Sequence, residues 1–316
     1  MGKSFPRPNC ECDRQKANDK IHELLSSDNA CMIARFGTTE LNCINNYLCV
    51  HSTKPYLQKC FDFIIDDTHT PWWNREHFHT MNICSGIFPE SQQIAERFAE
   101  RYLEDIPLID MLACFQYYEK YMPLRQDIQK VQLETLYPFF VERPWTRILK
   151  GKRVLVVHPF EQTIKQQYAK RNLLFDNTDV LPDFELITLK AVQTIAGNMT
   201  EYKDWFGALH YMENRIDNID FDIAIIGCGA YGLPLAAHIK RNGGKAVHMG
   251  GGLQLLFGIL GNRWVKEYPQ ISPWLYLPGV EINIDYTSMF NENWCYPLEA
   301  DTPCNSKLVE GACYWK

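Results

Sequence analysis

The sequence contains no Cys-x-x-Cys pair, although it has 12 cysteines. Structural zinc sites commonly hold the metal through pairs of this spacing, so the cysteine pattern argues against such a site. Residues 1–6 include no apolar core of the length that a signal peptide has. We therefore predict reduced thiols and a cytoplasmic protein.

The sequence also has no block of basic residues. It carries 32 Lys and Arg against 38 Asp and Glu, which gives a net charge of -6. This balance gives no reason to expect nucleic-acid binding or electrostatic attraction to an anionic membrane. No stretch approaches the ~18 consecutive apolar residues that a membrane-spanning helix needs. We expect no nucleic-acid partner and no transmembrane segment.

Internal repeats and low-complexity tracts are absent as well. Hydrophobic residues make up 46% of the 316 residues and aromatic residues 13%, which is typical of a folded globular protein and excludes disorder over most of the length. Aromatic side chains can stack on sugars, although core packing is the more common use of each one. The candidates for stacking in the first half are Trp72, Trp73, Tyr117, Tyr118 and Trp145.

The second half alternates short apolar runs with helical patterns, as parallel sheets flanked by helices do. The runs predict strands at 154–157, 186–189, 223–226 and 246–249, and helices from 163, over 205–216, through 240 and over 253–260. Thr163 and Gln166 match a Thr-x-x-Gln capping box. Residues 151–265 are therefore predicted to form Rossmann-like βα units.

The first half, residues 1–150, is predicted to be mostly helical, from apolar spacing at 21–25, 94–102 and 128–136. One unit differs, because 32–36 has the composition of a strand and is followed by a turn at Gly37.

Thr38 or Thr39 is expected to cap the helix that completes this unit, 31–48. We expect the unit to join the sheet of the second half. The predicted fold class is α/β, a Rossmann-like, doubly wound and mostly parallel sheet. It forms one composite domain over 1–316, with an irregular C-terminal wrap at 266–316.

Four polar or glycine-rich loops follow predicted strands. They are 35–40, 158–163, 227–232 and 248–254. In an open α/β sheet, ligands bind beyond the carboxyl ends of the strands, where such loops and helix N-termini converge. The candidate functional residues are therefore expected in these loops.

The Gly227-x-Gly229-x-x-Gly232 segment follows a strand and opens a helix. Glycines in this context leave backbone amides open to a phosphate, but they also allow tight packing of a strand against a helix. A nicotinamide enzyme should carry an acidic residue at the end of the next strand, where this chain has His248. This difference argues against NAD, and it weakens an assignment to S-adenosylmethionine in the same way.

Polar side chains at the ends of apolar strands are the other candidates. His158 and His248 can contact a diphosphate, donate a hydrogen bond to a leaving group or act as a base near neutral pH; the alternative is a structural histidine bonded to a loop carbonyl. Arg35 lies in an apolar strand and needs a partner, either a diphosphate or Glu40. Glu40 can also act only as a favourable charge at a helix N-terminus.

Taken in order, these segments resemble the GT-D-type glycosyltransferases, single-domain Rossmann-like enzymes that use nucleotide-activated sugars. The resemblance covers most of 31–316. It is carried by Arg35-Phe36-Gly37-x-x-Glu40, Gly86-x-Phe88-Pro89, Pro144-Trp145, Leu155-Val156-Val157-His158-Pro159-Phe160, Ile226-Gly227-Cys228-Gly229-Ala230-Tyr231-Gly232, His248-x-Gly250-Gly251, Gln254-x-x-Phe257-Gly258, Arg263-Trp264 and Glu310-Gly311-x-Cys313-Tyr314-Trp315.

The resemblance implies transfer of a sugar from a nucleotide-sugar donor, of the UDP type, onto a glycan hydroxyl in polysaccharide or glycoconjugate biosynthesis. Glu40 and His158 are the implied catalytic residues. The implied contacts to the nucleotide sugar are Arg35, Gly37, Thr38, Gly227, Gly229, Tyr231, Gly232, His248, Gly250, Gly251 and Gln254.

The resemblance also bears on a metal. The family carries an Asp-x-Glu signature after Arg-Phe-Gly, associated with the donor diphosphate and a divalent ion such as Mn²⁺ or Mg²⁺. This chain has Thr38 in place of the aspartate and keeps only Glu40. One carboxylate is a poor site for ions that prefer several oxygen ligands. Without a metal, the departing diphosphate would depend on loop amides, helix N-termini and Arg35.

Two other functions stay open. An S-adenosylmethionine-dependent methyltransferase rests on the glycine turn alone. A non-catalytic relative that binds a nucleotide or a glycan is credible because the signature aspartate is replaced by Thr38.

Overall fold

The computed structural model describes residues 9–65, 68–267, 270–271 and 284–316. The expectation for the N-terminal residues 1–6, and the parts of the predicted C-terminal wrap at 268–269 and 272–283, lie outside this range. No helix in the described residues is both long enough and apolar enough to cross a membrane.

Nine strands are present in the described residues. They are β1 (Cys31–Ala34), β2 (Met111–Cys114), β3 (Gln129–Gln132), β4 (Arg153–His158), β5 (Glu185–Lys190), β6 (Ile223–Ile226), β7 (Lys245–His248), β8 (Gln270–Ile271) and β9 (Ile284–Asp285). Seven of them form one parallel sheet in the order β3-β2-β1-β7-β6-β4-β5, and β8 pairs with β9 in a separate antiparallel ribbon.

The α-helices of the same residues are α1 (Arg14–Ser26), α2 (Thr38–Val50), α3 (Tyr56–Ile64), α4 (Arg75–Ser85), α5 (Gln92–Asp105), α6 (Glu161–Tyr168), α7 (Trp205–Asp217), α8 (Gly232–Arg241) and α9 (Leu253–Leu256). Short 3₁₀ turns connect many of these elements.

The centre of the sheet is buried on both faces, which explains the continuous apolar runs of the central strands. In β4, Val154 and Val156 belong to the core on one face, and Leu155 and Val157 belong to the core on the other. Burial of successive side chains on opposite faces is what continuous apolar runs in parallel strands predict. The chain therefore has the predicted α/β fold, a Rossmann-like, doubly wound sheet.

The strand predicted in the first half belongs to this sheet. Ile33 of β1 is in register with Met111 of β2 on one side and with Val247 of β7 on the other. Residues 31–34 thus connect the N-terminal strands to those of the second half, as expected.

The prediction of a helix over 128–136 is wrong. Residues 129–132 form β3, and Leu133–Leu136 form a 3₁₀ turn. The strand β2 was also missed. Short apolar runs do not separate strand from helix by periodicity alone, and here the pairing of β3 with β2 decides the outcome.

The predicted capping box at Thr163 is wrong as well. Helix α6 begins at Glu161, and its N-cap residue, Phe160, makes no side-chain capping bond. The backbone amide and the hydroxyl of Thr163 instead donate hydrogen bonds to Oδ2 of Asp301, at 2.7 and 2.6 Å. A carboxylate 138 residues away in the sequence has therefore taken the role that Gln166 was expected to fill.

Two helix ends also differ from prediction. Helix α2 begins at Thr38 itself, with Gly37 at the N-cap position, so neither threonine is the cap. Helix α9 ends at Leu256 rather than at residue 260, and Gly258 adopts a φ of +64° soon afterwards. A left-handed glycine of this kind commonly follows the end of a helix.

The positions of the helices create an opening at one edge of the sheet. Ile164 of α6 and Leu253 of α9 lie in the core on one face, whereas Leu41 of α2 and Leu235 of α8 lie in the core on the other. These helices follow β4, β7, β1 and β6, four neighbouring strands. Because the chain leaves adjacent strands toward opposite faces, a crevice is left between the loops.

Candidate functional site

A cleft occupies this crevice at the carboxyl ends of the strands. Its empty space, counted out to the open mouth and so including solvent, is about 1020 Å³. All four predicted loops contribute to it. The predicted site residues that line it are Arg35, Gly37, Thr38, Glu40, His158, Gly227, Gly229, Tyr231, His248, Gly250, Gly251 and Gln254.

Several cleft residues were missed by the sequence analysis. They are Cys84 and Ser85 at the end of α4, residues 192–195 after β5, and Arg263, Glu310, Tyr314 and Trp315 from the C-terminal region. Some of these segments carry the family resemblance, but no local pattern indicates that they face the four loops.

Arg35 is the cation at the centre of the site. Its Nε is buried and has no hydrogen-bond partner among the described residues. The guanidinium carbon lies 5.0 Å from the centroid of the Phe115 ring, a cation–π contact. No carboxylate of the described residues is within ion-pair distance, so Glu40 is not the ion-pair partner that the sequence allowed. The Arg35 side chain as a whole is half-buried. Its buried Nε is costly to leave without a partner, and an anionic ligand would supply one.

Three buried carboxyls respond to the charge of Arg35. They are Glu40, Glu119 and Glu134. Burial raises the pKa of each carboxyl, and the positive charge of Arg35 opposes this rise. The pKa reaches about 7 for Glu119 and about 7 for Glu134. The surroundings of Arg35 therefore hold acids whose charge changes near neutral pH.

Glu40 lies in the cleft at the first turn of α2. Its carboxylate occupies the space beside Gly37, where a Cβ atom would stand 1.7 Å from Oε2 of Glu40. Burial raises its pKa, Arg35 and Ser85 oppose that rise, and Glu310 adds to it. Glu40 is thus a buried acid that binds a proton more readily than an exposed glutamate does.

His158 ends β4 and is held by the loop that follows it. Its Nδ1 accepts a hydrogen bond from the backbone amide of Phe160 at 3.0 Å, which assigns the proton to Nε2. Burial lowers the pKa of His158 to about 3. The ring is therefore neutral at physiological pH, and Nε2–H is available as a donor rather than as a base.

His248 ends β7 and has the opposite arrangement. Its Nδ1 lies 3.4 Å from the carbonyl oxygen of Ile226, which can only accept, so the proton is assigned to Nδ1. Burial, with a further contribution from Arg35, lowers the pKa of His248 to about 3. Its Nε2 is therefore a neutral acceptor, complementary to the donor of His158.

The outer glycines of the turn after β6 are closely packed, in part against these rings. A Cβ atom on Gly227 would stand 2.7 Å from the Gly250 carbonyl oxygen and 3.0 Å from Cδ2 of His158. Gly232, which does not line the cleft, lies against His248. Gly229 differs, with a φ of +58° and a nearest atom at 3.9 Å. Close packing accounts for the outer glycines, and only Gly229 leaves its backbone open to a ligand.

The glycines after β7 are also closely packed. Gly250 has a φ of +63° and lies beside Cδ of Arg35, 3.1 Å from the position of its absent Cβ. Gly251 accommodates the ring of Tyr314, whose Cε1 would be 2.5 Å from a Cβ atom. These two glycines thus allow Arg35 and Tyr314 to approach the loop.

Gln254 and Tyr231 stabilise the cleft walls. The Nε2 group of Gln254 donates to the carbonyls of Ile259, Leu260 and Tyr314, at 3.3, 3.1 and 3.3 Å. Tyr231 stacks on Trp205 with an interplanar angle of 6°, and its hydroxyl lies 3.1 Å from Oγ1 of Thr194. Both side chains are engaged within the protein.

Arg263 is a second cation of the cleft, and it is paired. Its Nη1 donates to the Tyr314 hydroxyl at 2.9 Å, and its Nη2 forms an ion pair with Glu310. Glu310 has a φ of +43° and Ala312 a φ of +67°, conformations that non-glycine residues rarely adopt. Backbone strain of this kind is concentrated at functional sites.

The residues at the position of the family's metal signature do not fit Mn²⁺ or Mg²⁺. Thr38 is neutral, and Glu40 is a buried carboxyl whose pKa is raised and which lies near the charge of Arg35. Over the described ranges, no three His, Cys, Asp or Glu side chains are grouped so that they could hold a metal ion. We therefore derive no step through a metal.

The aromatic residues proposed for stacking lie elsewhere. None of the five lines the cleft as the described residues define it. Trp145 is fully buried in the core, whereas Trp72 is 43% exposed. The aromatic residues that line the cleft are instead Phe160, Tyr231, Tyr314 and Trp315.

Comparison with known protein families, curated proteins and solved structures finds no match for this chain.

Proposed function

We propose that the protein is a glycosyltransferase that moves a sugar from a nucleotide-sugar donor, a UDP-sugar, to a hydroxyl of a glycan or glycoconjugate acceptor. The observation that carries this proposal is Arg35, a half-buried arginine whose Nε is buried and unpartnered among the described residues and which lines the cleft. The diphosphate of a nucleotide sugar would supply the missing anion, and charge-assisted hydrogen bonds of this kind are strong.

In the proposed reaction, the acceptor oxygen bonds to the anomeric carbon and the bond from that carbon to the diphosphate breaks. The electron pair goes to the nucleoside diphosphate, and Arg35 stabilises the developing charge. The Nε2–H of His158 and the open backbone at Gly229 donate to the diphosphate oxygens. His248 accepts a hydrogen bond from the nucleotide through Nε2.

Glu40 is the proposed group for the acceptor proton. When ionised, its carboxylate accepts the proton of the attacking hydroxyl; its alternative role is to orient the donor sugar. Because burial raises its pKa, Glu40 is a stronger base than an ordinary glutamate. The neutral His158 does not compete for this role, since its Nδ1 is occupied.

Ligand-induced thermal stabilisation is the first test. The purified protein is heated with a panel of nucleotide sugars, with UDP alone and with S-adenosylmethionine, each with and without Mn²⁺. A donor at 100 times its Kd should stabilise the protein by about 2.7 kcal/mol. A shift with S-adenosylmethionine and with no nucleotide would overturn the proposal in favour of methyl transfer, and no shift with any donor would also count against it.

Two variants test the roles of the side chains. Glu40→Gln should lose transfer and keep donor binding, and the exposed Glu23→Gln is its matched control. Arg35→Lys should weaken UDP binding about tenfold or more in calorimetry, because lysine cannot bind a diphosphate bidentately. The exposed Arg75→Lys is the control for that change. Full activity of Glu40→Gln would remove Glu40 from catalysis.

An assay of the unaltered protein separates enzyme from binding protein. It measures transfer and donor hydrolysis over a broad panel of acceptors. Nucleotide binding with neither activity would indicate the non-catalytic relative rather than the transferase.

A further inference from the structure

Helix α3 differs from an ordinary surface helix in which side it exposes, because polar residues lie on its inner side. Asp62 is its buried residue, and its carboxylate accepts hydrogen bonds from Lys54 Nζ and Gln58 Nε2, both at 2.7 Å. Lys59 Nζ donates to the Val50 carbonyl at 2.8 Å. The bond from Lys59 reaches the end of α2, whereas the two bonds to Asp62 lie within and next to α3 itself. Lys59 and Asp62 line a pocket together with residues of α2, so the opposite side of α3 faces solvent.

The outer side of α3 is apolar. The exposed fraction is 84% for Leu57, 76% for Ile64, 60% for Tyr56 and 55% for Phe61. Leu57, Phe61 and Ile64 are spaced i, i+4 and i+7, which places them in one stripe along the helix. A surface helix normally buries such a stripe, and here it is open.

The stripe continues beyond the helix. The ring of Trp72, 43% exposed, meets the ring of Phe63 edge to face at a centroid distance of 5.6 Å. We use the name α3 patch for the exposed residues Tyr56, Leu57, Phe61, Phe63, Ile64, Ile65 and Trp72. A contiguous exposed apolar patch marks a docking surface, whereas single exposed apolar residues need no explanation.

The size of the α3 patch favours a lipid surface over a protein partner. A stable protein interface takes about 20–30 residues from each side. The α3 patch has seven residues on and beside a helix of nine. A bilayer needs no matching surface, and binding to it increases with the apolar area that is inserted. Tryptophan, tyrosine and phenylalanine are also the aromatic residues of membrane interfaces.

The charges beside the α3 patch indicate which lipids it suits. Lys54 forms an ion pair with Asp62, and the sequence continues after the helix with Asp66 and Asp67. Residues 54–67 thus contain two lysines and three aspartates, a sequence with no excess of positive charge to attract anionic headgroups. Attachment would depend on insertion of apolar side chains rather than on charge.

We propose that the α3 patch attaches the protein to the surface of a lipid bilayer with zwitterionic headgroups. Leu57, Phe61 and Ile64 insert at the boundary between headgroups and acyl chains, with α3 lying in the plane of the membrane. This inference is independent of the proposed transfer reaction.

Flotation with phosphatidylcholine vesicles tests the proposal, with the full chain and no nucleotide. The wild-type protein should float with the vesicles, equally at low and high NaCl. The double variant Leu57→Glu/Ile64→Glu should partition about 100-fold less, since each large aliphatic side chain contributes about tenfold or more. The control is Leu173→Glu/Met199→Glu, which alters two exposed apolar residues elsewhere and should float like the wild type.

Thermal melting shows that both variants are folded, and sedimentation of the lipid-free proteins gives their oligomeric state. Three results would overturn the proposal: no flotation of the wild type, release by NaCl, or equal flotation of the Leu57→Glu/Ile64→Glu variant. A wild-type dimer that this variant dissociates would show that the α3 patch binds a second copy, and it would overturn the proposal too.

Discussion

The imidazole of His248 occupies the space where a side chain on Gly232 would have to lie. A Cβ atom on Gly232 would stand 2.1 Å from Cε1 of His248 and 2.3 Å from its Nδ1. Both distances are far below van der Waals contact. Gly232, the last glycine of the predicted phosphate turn, is therefore required by a histidine of the neighbouring strand.

Gly232→Ala should destabilise the protein. The residue is helical, with a φ of -63°, so alanine is not strained there and would ordinarily stabilise the helix. The clash with His248 reverses that sign, and we expect a loss of ~1–3 kcal/mol in the free energy of unfolding, typical of overpacking. Urea denaturation measures it.

Gly207→Ala is the matched control for that change. It also lies in the first turn of a helix, but the nearest atom to its absent Cβ is 3.7 Å away. This variant should be up to ~1 kcal/mol more stable than the wild type. Equal effects of the two substitutions would show that His248 does not require the glycine.

Glu119 should make stability depend on pH. Burial raises its pKa from 4.5 to about 7, although the amides of Phe115 and Gln116 and the charge of Arg35 oppose the rise. Between these two values the folded protein binds the proton more tightly than the unfolded chain does. The free energy of unfolding should therefore fall as the pH rises through this range, by up to about 3 kcal/mol from this residue.

The variant Glu119→Gln isolates this contribution. Glu134 also makes the free energy of unfolding fall as the pH rises, but it does so in both the variant and the wild type. It should be more stable than the wild type at pH 8, with a flatter pH dependence in urea denaturation from pH 5 to 8. Parallel curves for the two proteins would be inconsistent with a raised pKa at Glu119.

His158 should not titrate in the physiological range. Burial lowers its pKa to about 3. The ring resonances of His158, assigned by comparison with His158→Gln, should therefore not shift in NMR spectra between pH 8 and pH 5. A midpoint near the ordinary value of ~6.5 would contradict the buried, neutral state. His158 should also lower the free energy of unfolding as the pH falls below ~6.5, because the histidine of the unfolded chain binds a proton before that of the folded protein does.

Thr163 should hold the C-terminal region to α6 through its hydroxyl. That group donates to Asp301 and accepts from the backbone amide of Leu298 at 3.0 Å. Thr163→Ala leaves buried partners unsatisfied and should cost ~1–3 kcal/mol in thermal or urea denaturation. Thr163→Ser keeps the hydroxyl and should lose much less. If the two variants were equally stable, the hydroxyl would have no such role.

The central strands could be predicted from the sequence because their environment leaves a local pattern. The runs at 154–157 and 223–226 are apolar at every position, as strands buried on both faces must be. The residues of β3 are partly polar, since this strand lies at the edge of the sheet, and their spacing also fits a helix. Edge strands carry a weaker signal because only part of each one is buried.

The four loops of the site could also be predicted, because loops after parallel strands meet at one edge of the sheet. The contributions of Ser85, Thr194, Arg263 and Glu310 could not. These residues enter the cleft through packing between segments far apart in the sequence. No rule of spacing connects residue 310 with residue 40.

The sequence by itself determined the fold class, the succession of central strands and helices along the chain, and the loops from which the candidate residues come. These depend on local periodicity and on the geometry of parallel sheets. The tertiary structure alone decided that Nε of Arg35 has no partner among the described residues, that His158 donates where His248 accepts, and that Gly232 makes room for an imidazole. Burial and hydrogen-bond partners set these properties, and both are supplied by residues distant in the chain.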